Sequence, residues 1–241
     1  MIDFNADAMF ACGEFGVSLS RLKYVLLTHI HEDHFDYFSA YFPAMAATPT
    51  QPLAFFASPA ACRGIEGVLE AVRKSPHRLL ARQIEQTAAV SSFTPLPAYE
   101  TAQIGGMRVT PVTANHAGFF AGEQGYNYLI EEDGRTTFYA SDTGRFLDRT
   151  MEFLAGWRVQ TLIIEGSYGK LPVSRECNHM NAGSLCETLD QLFAQGTLGA
   201  GSRIYVTHIG HKGQWNLTDY QQFLDSRYGG QAQIAWDGLR I

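Results

Sequence analysis

The residues best suited to chemistry in this chain are concentrated in one short segment, His29-Ile30-His31-Glu32-Asp33-His34. Two imidazoles two positions apart, as in His29 and His31, can approach one cation from a loop. The adjacent Asp33 and His34 must then face elsewhere, toward a second cation. Imidazole and carboxylate suit zinc, manganese or iron, and the absence of cysteine from the segment favours a catalytic site over a closed structural one. The segment therefore predicts a metal-dependent enzyme.

Further candidate residues come directly after β-rich runs of the sequence. His29 follows Lys23–Thr28, His116 follows Met107–Asn115, Asp142 follows Thr136–Ser141, Glu165 follows Thr161–Ile164 and His208 follows Arg203–Thr207. The carboxyl ends of strands line the crevice where α/β proteins bind ligands, so these side chains can meet although they are distant in sequence. Asp142 is the natural candidate for a carboxylate that bridges two metals. Two ions about 3.5–4 Å apart would clamp the attacking and leaving oxygens and lower the pKa of a bound water.

The composition of the 241 residues limits the classes of partner. With 18 basic and 24 acidic residues the net charge is −6, which disfavours broad nucleic-acid binding because that requires a basic face. The four cysteines form neither a CxxC pair nor a dense disulfide pattern, which favours reduced, packed thiols. No apolar run approaches the ~20 residues that span a bilayer, and the first residues lack a signal-peptide pattern. We therefore expect a cytoplasmic protein without a membrane partner.

The elements that must position these residues alternate along the chain. Short β-rich runs and longer amphipathic stretches predict an α/β protein in which helices pack outside the sheets. The predicted strands are Tyr24–Thr28, Leu53–Ala57, Met107–Thr113, Tyr126–Glu131, Thr136–Ala140, Thr161–Glu165, Arg203–Thr207 and Gln233–Trp236. The predicted helices are Pro59–Lys74, Phe146–Ala155, Ala182–Gln195 and Thr218–Ser226.

Several local signals refine this pattern. Asn181 is placed to cap the third predicted helix, and Asn216 or Thr218 the fourth. The segment 131–135, Glu-Glu-Asp-Gly-Arg, predicts a hairpin turn. Thr87–Gln103 is polar with two prolines, which indicates an irregular connection. For Phe119, Phe120 and Tyr126 two roles are weighed, lining of the pocket mouth and core packing, and core packing is the favoured expectation. Trp215 and Trp236 are expected in the core.

The order of HxHxDH, a later His, an Asp and a last His resembles the metallo-β-lactamase superfamily. The similarity runs from residue 1 to about residue 211. It implies one domain over residues 1–241 with an αββα sandwich and the site at one edge. It also implies two divalent ions, Zn²⁺ or Mn²⁺, bridged by Asp142: His29, His31 and His116 hold the first, and Asp33, His34 and His208 hold the second.

Within that superfamily the sequence resembles the phosphodiesterase branch, which includes ribonuclease Z and the phosphoribosyl cyclic phosphodiesterase. Asp142 stands in Ser-Asp-Thr-Gly, Glu165 in Ile-Glu-Gly-Ser-Tyr and His179 in Asn-His-Met-Asn-Ala-Gly. The resemblance implies hydrolysis of a small cyclic or nucleotide-like phosphodiester, in which a hydroxide shared by the metals attacks phosphorus. Asp33 would orient that hydroxide. His179, kept positioned and charged by Glu165, would protonate the leaving alkoxide.

Two departures and two alternatives accompany this hypothesis. No inserted arm rich in glycine and lysine is present to grip tRNA, so a small molecule is expected and not a nucleic acid. The opening Met1–Phe4 resembles the end of an early strand, so either the reading frame starts late or the chain lacks the first strands. In the second case we expect a homodimer or a chain that is unstable alone, because one sheet would end in an unpaired edge. The alternatives are a thioester or lactone hydrolase on the same dinuclear site, and a non-catalytic, truncated metal-binding chain.

Overall fold

The computed structural model describes residues 1–36 and 52–241, which form two compact units. Unit 1 consists of Met1–Pro97 and Gly118–Gln124, and unit 2 consists of Ala98–Ala117 and Gly125–Ile241. Each unit has its own β-sheet and its own cluster of buried apolar side chains. The α/β fold class predicted from the sequence is confirmed. The expectation of a single domain over residues 1–241 stays a prediction.

Unit 1 contains a three-stranded parallel sheet in the order β1-β2-β3. Its strands are β1 (Tyr24–Leu26), β2 (Leu53–Ala57) and β3 (Ser91–Pro95), and its helices are α1 (Ala6–Glu14), α2 (Pro59–Arg73) and α3 (Arg78–Ala89), with a 3-10 turn at Leu19–Arg21. Phe55 on β2 and Phe93 on β3 stack with ring centroids 4.9 Å apart. Ser58 caps α2 by accepting from the backbone N–H of Ala61, so the helix begins at its Pro59.

Unit 2 contains a seven-stranded mixed sheet in the order β10-β9-β8-β7-β6-β5-β4. Its strands are β4 (Ala102–Ile104), β5 (Met107–Ala117), β6 (Gln124–Glu132), β7 (Arg135–Ala140), β8 (Thr161–Glu165), β9 (Arg203–Thr207) and β10 (Ala232–Ile234). Its helices are α4 (Asp148–Leu154), α5 (Ala182–Ala194) and α6 (Leu217–Tyr228), with a 3-10 turn at His211–Gly213. The strands β7 to β10 run parallel to one another. Their carboxyl ends therefore meet at one edge of the sheet.

The hairpin turn predicted over residues 131–135 is confirmed, and it joins β6 to β7. Asp133 and Gly134 are the two residues between β6 and β7, and both have left-handed backbone angles, φ 50° and φ 74°. Positive φ at both central positions defines a type I′ turn, whose twist matches that of paired strands. Asp-Gly is a favoured sequence for that turn because glycine adopts positive φ without steric cost.

The connection predicted over Thr87–Gln103 is wrong. The segment contains β3 and the first two residues of β4, and the prediction also lacked helices α1 and α3. In β3 the burial alternates only weakly. Pro95 is the last residue of β3, which is an outer strand of the described sheet, and a missing N–H is tolerated there.

Trp236 was expected in the core but is 58% exposed. No helix in the described part of the chain is long and apolar enough to cross a membrane.

Helix α5 starts at a capping box whose contribution to stability can be measured. Asn181 Oδ1 accepts from the backbone N–H of Ser184 at 2.8 Å, and Ser184 Oγ accepts from the N–H of Asn181 at 2.9 Å. Asn181→Ala should lower the free energy of unfolding by about 1 kcal/mol because an N-terminal donor loses its acceptor. Urea denaturation of the whole chain checks this. Asn181→Ser, which keeps an acceptor, should recover most of the loss; equal losses for both variants would contradict the capping role.

Candidate metal centre

The HxHxDH segment begins two residues beyond the end of β1, and its backbone turns around the carbonyl of His31. That oxygen accepts the backbone N–H groups of His34 at 3.0 Å and Phe35 at 2.9 Å, which folds the segment back on itself. His29 Nε2 and His31 Nδ1 consequently lie 2.8 Å apart. Two imidazole nitrogens at this separation can act as ligands of one cation.

Asp3 and Thr28 determine which ring nitrogens face the ligand side. Thr28 donates its N–H to Asp3 Oδ1 at 2.7 Å and its hydroxyl to Asp3 Oδ2 at 2.8 Å. A carboxylate only accepts, so His34 must donate from Nδ1 to Asp3 Oδ2, 2.7 Å away. Because the Thr28 hydroxyl proton is already donated, its oxygen accepts from His29 Nδ1 at 3.0 Å. Both imidazoles therefore carry their proton on Nδ1 and present Nε2, as metal-ligating histidines do.

Neither Asp3 nor Thr28 was singled out as a site residue in the sequence analysis. The signal that could have found Asp3 is an acidic residue in an apolar run, Ile2-Asp3-Phe4, whose neighbours form bridges to Leu26 and Phe35. The backbone of Asp3 has a φ of 52°, in the left-handed region that non-glycine residues rarely adopt. Its contacts with the segment after β1 account for this conformation.

In unit 2 the carboxylate of Asp142 stands between two imidazoles. Its Oδ1 lies 2.9 Å from His208 Nε2, and its Oδ2 lies 4.0 Å from His116 Nε2. Asp142 is only 4% exposed, so neither oxygen is substantially solvated. His116 contacts the backbone carbonyl of Asn178 through Nδ1 at 3.3 Å, which directs Nε2 toward the carboxylate. Each oxygen of Asp142 thus faces a different histidine, as the carboxylate that bridges two ions must do.

Two of these candidate ligands have unusual backbones. Asp142 follows β7 with a φ of 52°, and His208 follows β9 with a φ of 54°. A left-handed conformation costs a non-glycine residue about 1–2 kcal/mol. Such conformations cluster at functional sites, where the surrounding structure imposes them. Here they turn the chain sharply at two strand ends, so that both side chains reach the same edge of the sheet.

Glu165, the last residue of β8, is fully buried and collects several donors. Its Oε1 accepts the N–H of Thr143 at 2.6 Å, and its Oε2 accepts the N–H of Met180 at 3.2 Å and the hydroxyl of Ser167. His179 Nδ1 lies 3.1 Å from Oε1 and 3.3 Å from Oε2, so this nitrogen donates to the carboxylate. The structure therefore brings Glu165 and His179 together, with Nε2 of His179 directed away from the pair.

The ring of His179 lies among the candidate ligands of unit 2. It is T-shaped against His116, with centroids 5.1 Å apart, and parallel to His208 at 5.9 Å. Ligand-type atoms of His116, Asp142 and His179 all lie within 4.8 Å of one another. This placement suits either a proton donor beside the metals or a further ligand.

Gly166, the residue after Glu165, packs closely against Tyr220, whose hydroxyl donates to the Gly166 carbonyl at 3.4 Å. A Cβ on Gly166 would lie 2.6 Å from the Tyr220 hydroxyl, so glycine is required for this close packing. Burial, followed by negative charge at Cys186 and Glu165, raises the pKa of Tyr220. The phenol therefore stays neutral and adds no charge beside the buried carboxylate.

The donor set fits divalent transition ions. It offers imidazole nitrogens and carboxylate oxygens and, among the described candidates, no thiolate, and the second ring nitrogens of His29 and His34 are held by hydrogen bonds. The described cysteines, Cys12, Cys62, Cys177 and Cys186, are all free thiols, and three of them are buried. The seven ligand assignments made from the sequence remain predictions.

The family of the chain follows from its sequence profile. Residues 6–209 match the β-lactamase superfamily domain. The chain belongs to this family. Members have the fold of metallo-β-lactamase-type hydrolases, so the fold expected from the sequence is confirmed. No curated protein matches the chain at a significant level.

Solved structures of the superfamily cover nearly the whole chain. A diphosphatase of the PhnP family has a TM-score of 0.71 at 17% identity, covering 100% of this chain and 78% of its own. The metallo-β-lactamase fold protein YhfI from Bacillus subtilis has a TM-score of 0.68 at 16% identity, covering 99% and 84%. Zinc-bound PqqB from Methylobacterium extorquens has a TM-score of 0.63 at 17% identity, covering 99% and 81%. At these identities the likeness shows the fold.

The role of Asp3 predicts a specific defect in metal affinity. In Asp3→Asn the new amide can present an N–H to His34 Nδ1, which favours the tautomer that places the proton on Nε2. We expect divalent-ion affinity to fall about 10–100-fold, the usual loss when a group that orients a ligand is removed. Competition with a chromogenic chelator measures this. Asp7→Asn, an exposed change on α1, is the matched control and should leave affinity unchanged; equal behaviour of the two variants would contradict the role of Asp3.

Proposed function

We propose that this chain is a dinuclear metal-dependent hydrolase that cleaves a small cyclic or nucleotide-like phosphodiester. The observation that carries the proposal is the Asp142 carboxylate, which offers one oxygen to each of two imidazoles, with the Glu165–His179 pair beside it. A bridging carboxylate would bind two ions, and an adjacent imidazole would protonate the leaving group. Together they supply the two functions that diester hydrolysis requires.

The ligand assignment of the proposal is that of the family resemblance. His29, His31 and His116 would hold one ion, Asp33, His34 and His208 the other, and Asp142 both. Divalent ions, when bound, act as Lewis acids on phosphoryl oxygens and lower the pKa of water. Zinc or manganese is proposed because imidazole and carboxylate suit both. The zinc in PqqB supports the first of these.

The remaining groups of the proposed site move and orient protons. His179 donates its Nδ1 proton in a hydrogen bond to Glu165, so Nε2 is the atom that would carry a proton to the leaving oxygen. Glu165 is held in place by backbone N–H groups and would keep the imidazole oriented through the reaction. Asp33, whose side chain is 61% exposed, would orient the attacking water. The diphosphatase among the structural neighbours supports chemistry at phosphorus.

The first test is metal content. A chain with the proposed ligands should bind two divalent ions, as measured by elemental analysis after mild loading. Asp142→Ala should lower the content at both positions, because a bridge is lost together with its charge. Asp148→Ala, on the surface helix α4, is the control and should retain both ions. One ion or none in the unmodified chain would contradict the dinuclear assignment.

The second test compares the loss of turnover caused by His179→Ala on diesters with different leaving groups. His179→Ala should lower turnover about 10²–10⁴-fold on a diester with a poor alkoxide leaving group, because general-acid catalysis is lost. The loss should be much smaller with bis(p-nitrophenyl) phosphate, since p-nitrophenolate departs without a proton. Glu165→Gln should show the same dependence in weaker form. Metal content must stay unchanged in both variants.

The same assays, extended to a control variant and to a thioester and a lactone substrate, distinguish the alternatives. His77→Ala, outside the described candidate clusters, should change neither substrate. Equal losses on both diesters would assign His179 to binding, and loss of metal would make it a ligand. Turnover of a thioester or a lactone with no turnover of either diester would favour the alternative hydrolase. A metal-loaded chain inactive on all substrates would favour the non-catalytic alternative.

A further inference from the structure

Unit 1 contains a cavity beside the HxHxDH segment that the metal chemistry does not use. Its volume is about 680 Å³, within the ~300–1,000 Å³ typical of small-molecule sites. Two candidate metal-site residues, His31 and Asp33, form part of its wall. The other described lining residues are Ile30, Glu32, Phe35, Asp36, Ile65, Val68, Leu69, Phe119 and Phe120.

The interior of this cavity is apolar. Ile65 and Leu69 belong to the buried face of α2, whereas Val68 is 47% exposed and Phe119 72% exposed. For Phe119 the favoured expectation of core packing is wrong, and the alternative, a place at the mouth of a pocket, agrees with the structure. Large exposed apolar side chains around a concavity are typical of binding sites.

A buried carboxylate connects the wall formed by Phe119 and Phe120 to the HxHxDH segment. Glu123 is 5% exposed, and its Oε2 accepts the backbone N–H of Phe120 at 3.0 Å. Its Oε1 accepts the N–H of Ile30, between His29 and His31, at 2.8 Å. One side chain therefore fixes both the aromatic wall and the segment that carries two candidate ligands.

Two glycines are needed for this arrangement. A Cβ on Gly118 would overlap the Glu123 side chain, and a Cβ on Gly64 would overlap the ring of Phe120 where it lies on α2. Phe119 and Phe120 also contact each other edge to face, with centroids 5.4 Å apart. The cavity is thus preformed, and a ligand would not have to order this wall on binding.

The charge around the cavity restricts what it can hold. Glu32 and Asp36 lie on its wall, and no lysine or arginine stands among the described residues that line it. A carboxylate or a second phosphate on the ligand would lose hydration and meet like charge there. An uncharged group gains from contact with the apolar interior.

We propose that this cavity binds an uncharged apolar substituent of the substrate, an alkyl or aryl ester group attached to the phosphorus that reacts at the metals. The inference rests on the proposed function for the reacting group but on the cavity alone for the substituent. Continuity with His31 and Asp33 places the substituent next to the reaction. The substrate is then an apolar ester of phosphoric acid, and the cavity distinguishes it from diesters with charged arms.

The test is a series of n-alkylphosphonates of one to eight carbons bound to the zinc-loaded chain, with affinities from calorimetry. Affinity should rise about two- to fourfold for each methylene, the range for half to full burial. Phenylphosphonate compared with hexylphosphonate separates aryl from alkyl preference. An alkylphosphonate with a carboxylate at its far end should bind more weakly than its uncharged counterpart.

Variants locate the effect in the cavity. Val68→Trp should fill the space and reduce the ratio of octyl to methyl affinity at least tenfold, and Phe119→Ala should reduce it several-fold. Phe10→Ala is the matched control, because Phe10 is 70% exposed on α1 and lies outside the lining. Adsorption to any exposed aromatic group would give equal changes for the two phenylalanine variants and would overturn the inference.

Failure of this inference is distinguishable from failure of the proposed function. A flat series, or no measurable binding of octylphosphonate, overturns the apolar site even if bis(p-nitrophenyl) phosphate is hydrolysed. A rising series that Val68→Trp abolishes, in a chain that hydrolyses no diester, retains the apolar site and removes the phosphodiesterase proposal.

Discussion

The hydrogen bonds that converge on Glu165 are the interaction on which the arrangement of unit 2 depends. A fully buried carboxylate is tolerated only when donors replace its lost hydration. The donors here come from Thr143, next to Asp142, and from His179 and Met180, at the start of α5. The requirement to satisfy one buried charge therefore places the candidate bridging carboxylate, the candidate acid and the residues before α5 relative to each other.

In unit 1, Asp3 and Thr28 determine which ring nitrogen of His29 and His34 carries the proton. The proton on each imidazole is assigned by a chain of hydrogen bonds that begins at a carboxylate able only to accept. The alternative tautomer of His29 or His34 would place two acceptors opposite each other across one of these bonds. The candidate ligand atoms are thus fixed in the structure without an ion, which would reduce the reorganisation that metal binding requires.

Much of this could be predicted from the sequence, because ligand chemistry and strand ends are local signals. The bounds of β2, β8 and β9 agree with those predicted, since each is a short β-rich run between clear breakers. Asp3, Glu123 and Ser167 could not be predicted as part of these networks, because their partners are set by tertiary contacts that no spacing reveals. For α1 and β3 the cause differs: α1 buries only Cys12 and β3 alternates weakly, so their periodicity is faint.

The segment Gly118–Gln124 leaves β5 and returns to β6, yet its residues pack with unit 1. It holds the aromatic wall of the cavity and no residue of the sheet edge that bears Asp142, Glu165 and His208. If the proposals made above hold, the aromatic wall of the cavity and the unit 2 residues Asp142, Glu165 and His208 are encoded in separate stretches of the gene. Exchange of this segment between relatives would then alter the cavity and leave the unit 2 residues unchanged. The exchanged segment must keep a carboxylate at the position of Glu123, because that side chain accepts from the backbone N–H groups of Ile30 and Phe120.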